Sequence, residues 1–309
     1  MSATAPFSIE SVAQVHALVG RAPPPHPLVS VIAASWQPPL DITIPVVGRA
    51  ITTGLYVISL KSGDECHAEF GRQLHDGAAG VVVFASPGQT ITPTGGKTAP
   101  DRAGDGWSVI FHPDLLRESP VAAAMHRFRF FGYAEREALH LTEPEQKQLT
   151  QVVRQLEHEA SSPPDAFAQD ALTAQLQLLF SWCQRGYARQ FAVRTREGGA
   201  VAAKLDRHLD GCFASAGRAG EAVPTVRSCA RALGYSPDYL SDLLRAETGK
   251  SARDHIHHAI VEAAKARLLS SEATVSEVAH ALGFEHPQHF SKLFARRTGQ
   301  SPGEWRRRQ

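Results

Sequence analysis

Five hydrogen-bonding side chains lie within a short segment near residue 290 of the 309-residue chain. A glutamine amide can bond to adenine and a lysine ammonium to guanine, so such a set suits the readout of base edges in a DNA groove. Arginines that follow a few residues later are better placed for phosphate contacts. The candidates for base readout are His286, Gln288, His289, Ser291 and Lys292, and the phosphate candidates are Arg296 and Arg297.

A second polar set lies about fifty residues earlier and is more acidic. A carboxylate near DNA phosphates is repelled unless it accepts a hydrogen bond from the N4 amine of cytosine. Cytosine selection and an ordinary solvated face therefore both stay open for the two aspartates. The candidates for base readout are Ser236, Asp238, Tyr239, Ser241 and Asp242, with Arg245 as a phosphate candidate.

Both sets belong to one repeated pattern, at residues 226–249 and 275–299. Each copy begins with apolar residues spaced four and three apart, which predicts a helix with one apolar face. A glycine, Gly234 or Gly283, then ends the helix, because glycine adopts the left-handed conformation at least cost. The apolar residues are Val226, Ala230 and Leu233 in the first copy, and Val275, Ala279 and Leu282 in the second.

A second apolar stripe follows each glycine and ends at a Thr-Gly pair. The repeat therefore predicts two helix-turn-helix motifs, at about 225–248 and about 274–298. For either copy alone, a helical hairpin that only builds a core is the alternative. The matched residues of the stripes are Leu240, Leu243 and Leu244, and Phe290, Leu293 and Phe294.

The segment between the motifs predicts a single linker helix at about 252–270, with Ser251 as its cap. Nineteen residues at ~1.5 Å each give a rod of roughly 28 Å, close to the ~34 Å that separates successive major grooves on one face of B-DNA. One chain could therefore reach two adjacent major grooves. The arginines at 306–308 could contact phosphates or only keep the chain in solution.

These residues resemble the DNA-binding domain of the AraC/XylS family of bacterial transcription regulators. The resemblance covers roughly the last hundred residues, and it implies a regulator that binds double-stranded operator or promoter DNA, with an activator and a repressor both left open. The four cysteines lie far apart with no CxxC pair, which indicates a reducing, cytoplasmic compartment. The resemblance also implies RNA polymerase, a small-molecule effector and a second copy of the chain as partners. It is carried by Ala279, Gly283, Phe284, Phe290, Phe294, Thr298, Gly299, Ser301 and Pro302.

The net charge of +1 conceals an asymmetry between the two parts of the chain. Residues 201–309 hold 16 Lys and Arg against 12 Asp and Glu, whereas residues 1–200 hold 16 against 19. A basic C-terminal part agrees with nucleic-acid binding. No apolar run approaches the ~20 residues of a membrane span, so we expect no membrane partner.

The N-terminal part reads as a β-rich domain, with short β-prone runs at 55–60 and 81–84 between turn-forming clusters. Two helices should follow, the first beginning at a Thr142–Glu145 capping box, the second after Pro163-Pro164. They could form a homodimer contact or only cover the sheet. We expect an α+β multidomain fold: a cupin-like sensor barrel at 1–140, a helical linker and dimerisation region at 141–198, and an all-α domain at 199–309.

The segments at 69–89, 111–116 and 130–145 resemble the cupin-like sensor of one branch of the family, which implies an effector without naming it. Metal-binding cupins use an HxH pair with a later carboxylate and histidine, a spacing that is absent here. Cys66, His67 and His75 come nearest, but ordinary structural roles are favoured for them. We expect no cofactor, no metal and no catalysis. The alternatives are a cupin-type metalloenzyme fused to a DNA-binding domain, and a protein-interaction module with a degenerate repeat.

Overall fold

The computed structural model describes residues 7–33, 51–61, 80–91, 106–134, 137–196, 201–215, 222–270 and 272–308. The chain divides into two compact units, Met1–Gln190 and Phe191–Gln309, and the boundary falls within a long helix. The first unit is a mixture of sheet and helix, and the second is helical.

The strands of the first unit form two sheets. The five-stranded sheet has the order β2-β7-β4-β5-β8 with antiparallel neighbours, and the three-stranded sheet has the order β1-β3-β6. Within the described residues, closure of these strands into a cupin-like barrel stays a prediction. The strands are β1 (Phe7–Ile9), β2 (Val29–Ala33), β3 (Ile51–Thr53), β4 (Tyr56–Lys61), β5 (Gly80–Ala85), β6 (Thr90–Ile91), β7 (Trp107–Phe111) and β8 (Leu139–Leu141).

The two β-prone runs at 55–60 and 81–84 are confirmed as β4 and β5, which pair with each other in register. An aromatic cluster fills the space beside them: Tyr56 stacks on Phe111 at 5.0 Å, and Phe131 lies edge-on to Tyr56 at 4.9 Å. The glycine-rich stretch at 94–106, for which the sequence predicts turns between strands, lies outside the described residues except for Gly106, and so do Cys66, His67 and His75.

The helices of the first unit are α1 (Val12–Leu18), α2 (Pro120–Ala124), α3 (Glu143–Ser161) and the start of α4 (Ala168–Arg196). The predicted capping interaction of α3 is confirmed, because the Thr142 amide donates to Glu145 Oε2 at 2.9 Å. The apolar stripe of α3 is buried and packs against β2, so this helix covers the sheet. The stripe consists of Leu149, Val152, Val153 and Leu156.

The second unit contains the end of α4 and the helices α5 (Val201–Ser215), α6 (Val226–Leu233), α7 (Pro237–Thr248), α8 (Ala252–Ser270), α9 (Val275–Ala281), α10 (Pro287–Thr298) and α11 (Pro302–Arg307). The predicted first motif is α6–α7, the second motif is α9–α10, and the predicted linker helix is α8. Glycines with positive φ follow α6, α7 and α10, namely Gly234 (φ 77), Gly249 (φ 75) and Gly299 (φ 77). The predicted helix, turn, helix and stop therefore occur twice.

The second motif and the linker helix share one hydrophobic core. Phe290 and Phe294 of α10 are fully buried against Ala264 and Leu268 of α8, and Trp305 of α11 packs on the same cluster. Arg306 strengthens this end of the unit, since its Nε donates to the carbonyl of Leu268 and its Nη2 to that of Ala273. Arg306 therefore stabilises this core, while phosphate contact and solubility stay predictions for the arginines at 306–308.

Candidate nucleic-acid interface

The second motif exposes the polar face that its sequence predicts. Pro287 begins α10, and the buried positions Phe290 and Phe294 fix which face turns inward. Since residues three and four apart share a helix face, the polar residues between them turn outward. His286, Gln288, His289 and Lys292 are exposed, and Ser291 is half-buried.

This exposed face carries hydrogen-bond donors along a line of about two turns. Gln288, Lys292 and Arg296 follow at intervals of four residues and are all exposed. The imidazole of His289 stands edge-on to that of His286 with ring centroids 5.5 Å apart. Such a row can meet base edges at its start and backbone phosphates at its end.

A shallow groove adjoins this row between α8 and α10. Its rim consists of basic side chains, His257, His289, Lys292 and Arg296, and its floor is apolar. Burial and the neighbouring guanidinium groups lower the pKa of His257. The charged side chains of the groove, Lys292 and Arg296, suit an anion such as a phosphate.

Arg297 lies in a different setting from Arg296. Its Nη2 donates to Asp254 Oδ1 at 2.6 Å and lies 3.2 Å from His257 Nδ1, which ties the last turn of α10 to the first turns of α8. The Arg297 guanidinium and the Ser251 hydroxyl hold the pKa of the Asp254 carboxyl well below its usual range. A phosphate contact by Arg297 stays a prediction, and it would have to compete with this ion pair.

The first motif has the same backbone with a different surface. Ser236 is the N-cap of α7, where its hydroxyl accepts from the Tyr239 amide at 3.3 Å. Asp242 is half-buried and pairs with Arg245 at 2.9 Å, so these two candidate residues partly neutralise each other. Asp238 is half-buried as well.

Two candidates of the first motif are buried. Tyr239 is 0% exposed and Ser241 is 7% exposed. The Tyr239 hydroxyl accepts a hydrogen bond from Arg194 Nη1 at 2.6 Å, and the ring packs edge-on against Phe191 at 5.1 Å. Base contacts by Tyr239 or Ser241 would require these side chains to become uncovered.

Sequence reasoning missed the residues that hold the motifs in place. Arg194 and Phe191 precede the first motif by about forty residues, and the Asp254–Arg297 pair joins residues that are equally far apart. Periodicity reports which face of a helix is apolar, but it contains no signal for such long-range polar contacts.

Throughout the described residues there is no group of three or more His, Cys, Asp or Glu side chains that could hold a metal ion. In the same part of the chain, no helix has both the length and the apolar character needed to cross a membrane.

A family model described as a helix-turn-helix domain matches residues 229–308. The uncharacterised HTH-type transcriptional regulator YijO of Escherichia coli (strain K12) is 33% identical over 129 residues, which cover 42% of this chain and 43% of that protein. The HTH-type transcriptional activator RhaR of Klebsiella pneumoniae is 32% identical over 166 residues, covering 52% and 54% respectively. The chain thus spans about half the length of these two curated relatives.

The C-terminal domain of AraT, a response regulator from Geobacillus stearothermophilus, is 27% identical with a TM-score of 0.31, covering 36% of this chain and 86% of that one. With the repeated motifs, their glycine stops and the linker helix already described, the family match settles the kind of domain. Residues 229–308 are a helix-turn-helix domain of the AraC type.

Proposed function

We propose that this protein is a sequence-specific transcriptional regulator of the AraC/XylS type whose base readout is concentrated in the second motif. The observation that carries the proposal is the exposed row of donors on α10, opposite the buried Phe290 and Phe294. Gln288 and His289 lie in the first turn of that helix, the part that enters the major groove in helix-turn-helix proteins. Lys292 follows one turn later and can reach guanine O6 and N7.

The linker helix supports binding by one chain to two grooves. α8 contains 19 residues, which at ~1.5 Å each span about 28 Å. Its core contacts with α9 and α10 fix the second motif relative to this rod. The first motif is the weaker reader, because Asp238 and Asp242 bring negative charge to its face.

The test selects DNA first and then compares variants. The full-length chain is used to recover bound fragments from genomic DNA, and the recovered operator is titrated with Lys292→Ala, Gln288→Ala and the control Lys204→Ala. Lys204 is an exposed lysine on α5, so this control removes the same charge elsewhere in the unit. Each of the two α10 variants should cost about 1 to 3 kcal/mol at the operator, with a smaller loss on unrelated DNA for Gln288→Ala.

Unchanged operator affinity in both α10 variants would refute the assignment of base readout to this helix. Equal losses of operator affinity for Lys292→Ala and Lys204→Ala would mean that Lys292 contributes only its positive charge and reads no base. Failure of the unaltered chain to select any DNA would favour a module that contacts only proteins.

We further infer that the sheet-rich unit is a cupin-like sensor for a small-molecule effector, and that the bound regulator acts on RNA polymerase at its promoter. The separation of the chain into two compact units supports the assignment of sensing to the first unit and of DNA binding to the second. Ligands that raise the melting temperature of the protein should also change transcription from the recovered operator in a purified system. Stoichiometric iron, manganese or nickel in the purified protein would instead favour the metalloenzyme alternative.

A second copy of the chain is the proposed partner of the outer face of α4. Phe167, just before this helix, is 73% exposed, and Leu178 is 45% exposed. Ala174 is exposed between them, and Trp182 continues the row half-buried. Spacings of seven and four place these residues on one face, which a second helix of the same kind could cover.

Sedimentation velocity can test this dimer. Leu178→Glu should shift the full-length chain from dimer to monomer, whereas Gln177→Glu, a change to the neighbouring exposed residue, should leave the dimer intact. If both variants sediment as the unaltered chain does, α4 is not the dimer contact.

A further inference from the structure

The two motifs allow a position-by-position comparison of the faces that approach DNA. Both second helices begin with proline and contain 12 residues, so the third residue of α7, Tyr239, corresponds to His289 of α10. His289 is exposed, and Tyr239 is 0% exposed. Likewise Ser241 is buried, whereas the corresponding Ser291 is half-buried. The Tyr239 and Ser241 positions are therefore more deeply buried in the first motif than their counterparts in the second, while Asp238 and Asp242, which match Gln288 and Lys292, are half-buried.

Two residues at the end of α4 cover the Tyr239 side chain. Arg194 Nη1 donates to the Tyr239 hydroxyl at 2.6 Å, and its guanidinium carbon lies 5.8 Å from the centroid of that ring and 5.7 Å from the Tyr235 ring. Phe191, one turn earlier, packs edge-on against Tyr239 at 5.1 Å. Arg194, Phe191 and both tyrosines all belong to the second unit.

These contacts combine a hydrogen bond from a charged donor with a cation–π interaction, which makes them stronger than a neutral contact of the same size. They also occupy the space beside the first turn of α7. In a helix-turn-helix protein this turn enters the major groove. For the Tyr239 side chain to reach a base edge, as the exposed His289 can, Phe191 and Arg194 must first move away from it.

We propose that Arg194 is a positioning residue for DNA binding. It holds the Tyr239 side chain in the interior of the unit and so keeps the first motif out of the major groove. The proposal rests on the proposed function, since it concerns which of the two motifs engages the operator. In the closed state the chain binds DNA through the second motif alone. Loss of the Arg194 contacts opens the first turn of α7 and allows both motifs to bind.

The test uses the full-length chain and two DNA duplexes, the recovered operator and the same operator with the half-site of the first motif scrambled. Arg194→Ala removes all the guanidinium contacts, and Tyr239→Phe removes only the hydroxyl while keeping the ring in the core. Arg185→Ala is the matched control, because this arginine of α4 also lies over an aromatic ring, Trp182, at 4.5 Å.

Arg194→Ala should bind the intact operator about tenfold more tightly and the scrambled operator with unchanged affinity, as expected when a competing conformation is removed. Tyr239→Phe should act in the same direction with a smaller factor. The hydroxyl-radical footprint of Arg194→Ala should extend into the next major groove, roughly ten base pairs away. Arg185→Ala should leave both affinities and the footprint unchanged.

A second readout does not depend on DNA. Amide hydrogen exchange at the start of α7, which includes the Tyr239 amide bonded to Ser236 Oγ, should become faster in Arg194→Ala, while exchange in α10 stays the same. Faster exchange throughout the second unit would instead mean that Arg194 only stabilises the fold.

The proposal is overturned if Arg194→Ala binds the intact operator no more tightly than the unaltered chain while still binding the scrambled one. Weaker binding to both duplexes also overturns it, because Arg194 would then be a phosphate contact. Failure of the unaltered chain to bind any selected operator would be a failure of the proposed function itself.

Discussion

The two helix-turn-helix motifs have nearly the same backbone, yet each is attached to the rest of the unit by opposite chemistry. In the last turn of α7, Glu247 accepts hydrogen bonds from the amides of Val201 and Ala202, at the start of α5. At the matching position of α10, Arg297 pairs with Asp254 in the first turn of α8. The side chain at this position of the repeat thus holds the start of a neighbouring helix in both copies. It is the anionic Glu247 in the first copy and the cationic Arg297 in the second.

The two copies of the repeat therefore share the role of this position, which is to hold the start of a neighbouring helix, but not its residue type. A carboxylate suits the free amides and positive dipole at a helix start. A guanidinium needs an acidic partner there, which Asp254 provides. The surfaces that face DNA differ just as much, with exposed donors on α10 and half-buried carboxylates on α7.

The largest expected effect concerns the cores of the two motifs. Phe294→Ala should lower the free energy of unfolding of the second unit by about 3 to 5 kcal/mol, because it empties a fully buried aromatic site. Leu244→Ala, at the corresponding buried position of the first motif, removes less volume and should cost about 2 to 4 kcal/mol.

Urea unfolding of the full-length chain, with amide exchange to assign the transition to the second unit, measures both core variants. The exposed Lys204→Ala should stay within about 0.5 kcal/mol of the unaltered chain. A larger loss for Leu244→Ala than for Phe294→Ala would show that the first motif has the better packed core.

The glycine stops should behave alike in the two motifs. Gly249 and Gly299 have φ values of 75 and 77, and an added Cβ would meet nothing within 4 Å at either position. Alanine should therefore cost only the strain of the left-handed conformation, about 1 to 2 kcal/mol at each site. Thermal unfolding of Gly249→Ala and Gly299→Ala measures this.

Gly303 provides a control of opposite sign for the glycine variants. It lies within α11, has no positive φ, and has equally open space around its Cβ position. Gly303→Ala should be neutral or stabilise by up to about 1 kcal/mol, since glycine inside a helix is unfavourable. Unequal losses at Gly249 and Gly299 would contradict the equivalence of the two backbones.

The smallest expected effect is the contribution of the Asp254–Arg297 pair, which is partly exposed and should be worth no more than about 1 kcal/mol. The pKa of Asp254 is lowered in the folded chain, so its contribution is present above the unfolded value of about 3.9 and is lost as the pH falls below that value. Asp254→Asn should therefore weaken the dependence of the melting temperature on pH below about pH 5.

Asp210→Asn is the control for this pH dependence, because Asp210 is an exposed carboxylate of α5 in the same unit. It should leave the slope of melting temperature against pH unchanged. The same slope in Asp254→Asn and in the unaltered chain would mean that the pair does not stabilise the second motif.

The local structure of the second unit could be predicted from the sequence because its signals are local. The apolar spacing from Val275 to Leu282 and the glycine that follows specify a helix and its end within a few residues. The position of Tyr239 could not be predicted in this way. A tyrosine near the start of a recognition helix suits base contact and core packing equally, and the choice depends on Phe191 and Arg194, far away in the sequence.

The first unit was predictable to a lesser degree. The capping box at Thr142 and the buried stripe of α3 follow from short-range patterns and are confirmed. The exposure of Leu178 on α4 could not be inferred, because this long helix has apolar residues on more than one side and periodicity does not say which side the sheet covers.

The bonds of Arg306 to the carbonyls of Leu268 and Ala273 have a consequence for synthesis of the chain on the ribosome. The linker helix and the second motif leave the ribosomal exit tunnel before this arginine does. Until residue 306 emerges, the carbonyls of Leu268, in the last turn of α8, and of Ala273, just after the helix, lack this guanidinium. The packing of the second motif against the linker helix is therefore completed by a residue that follows both of them in the chain.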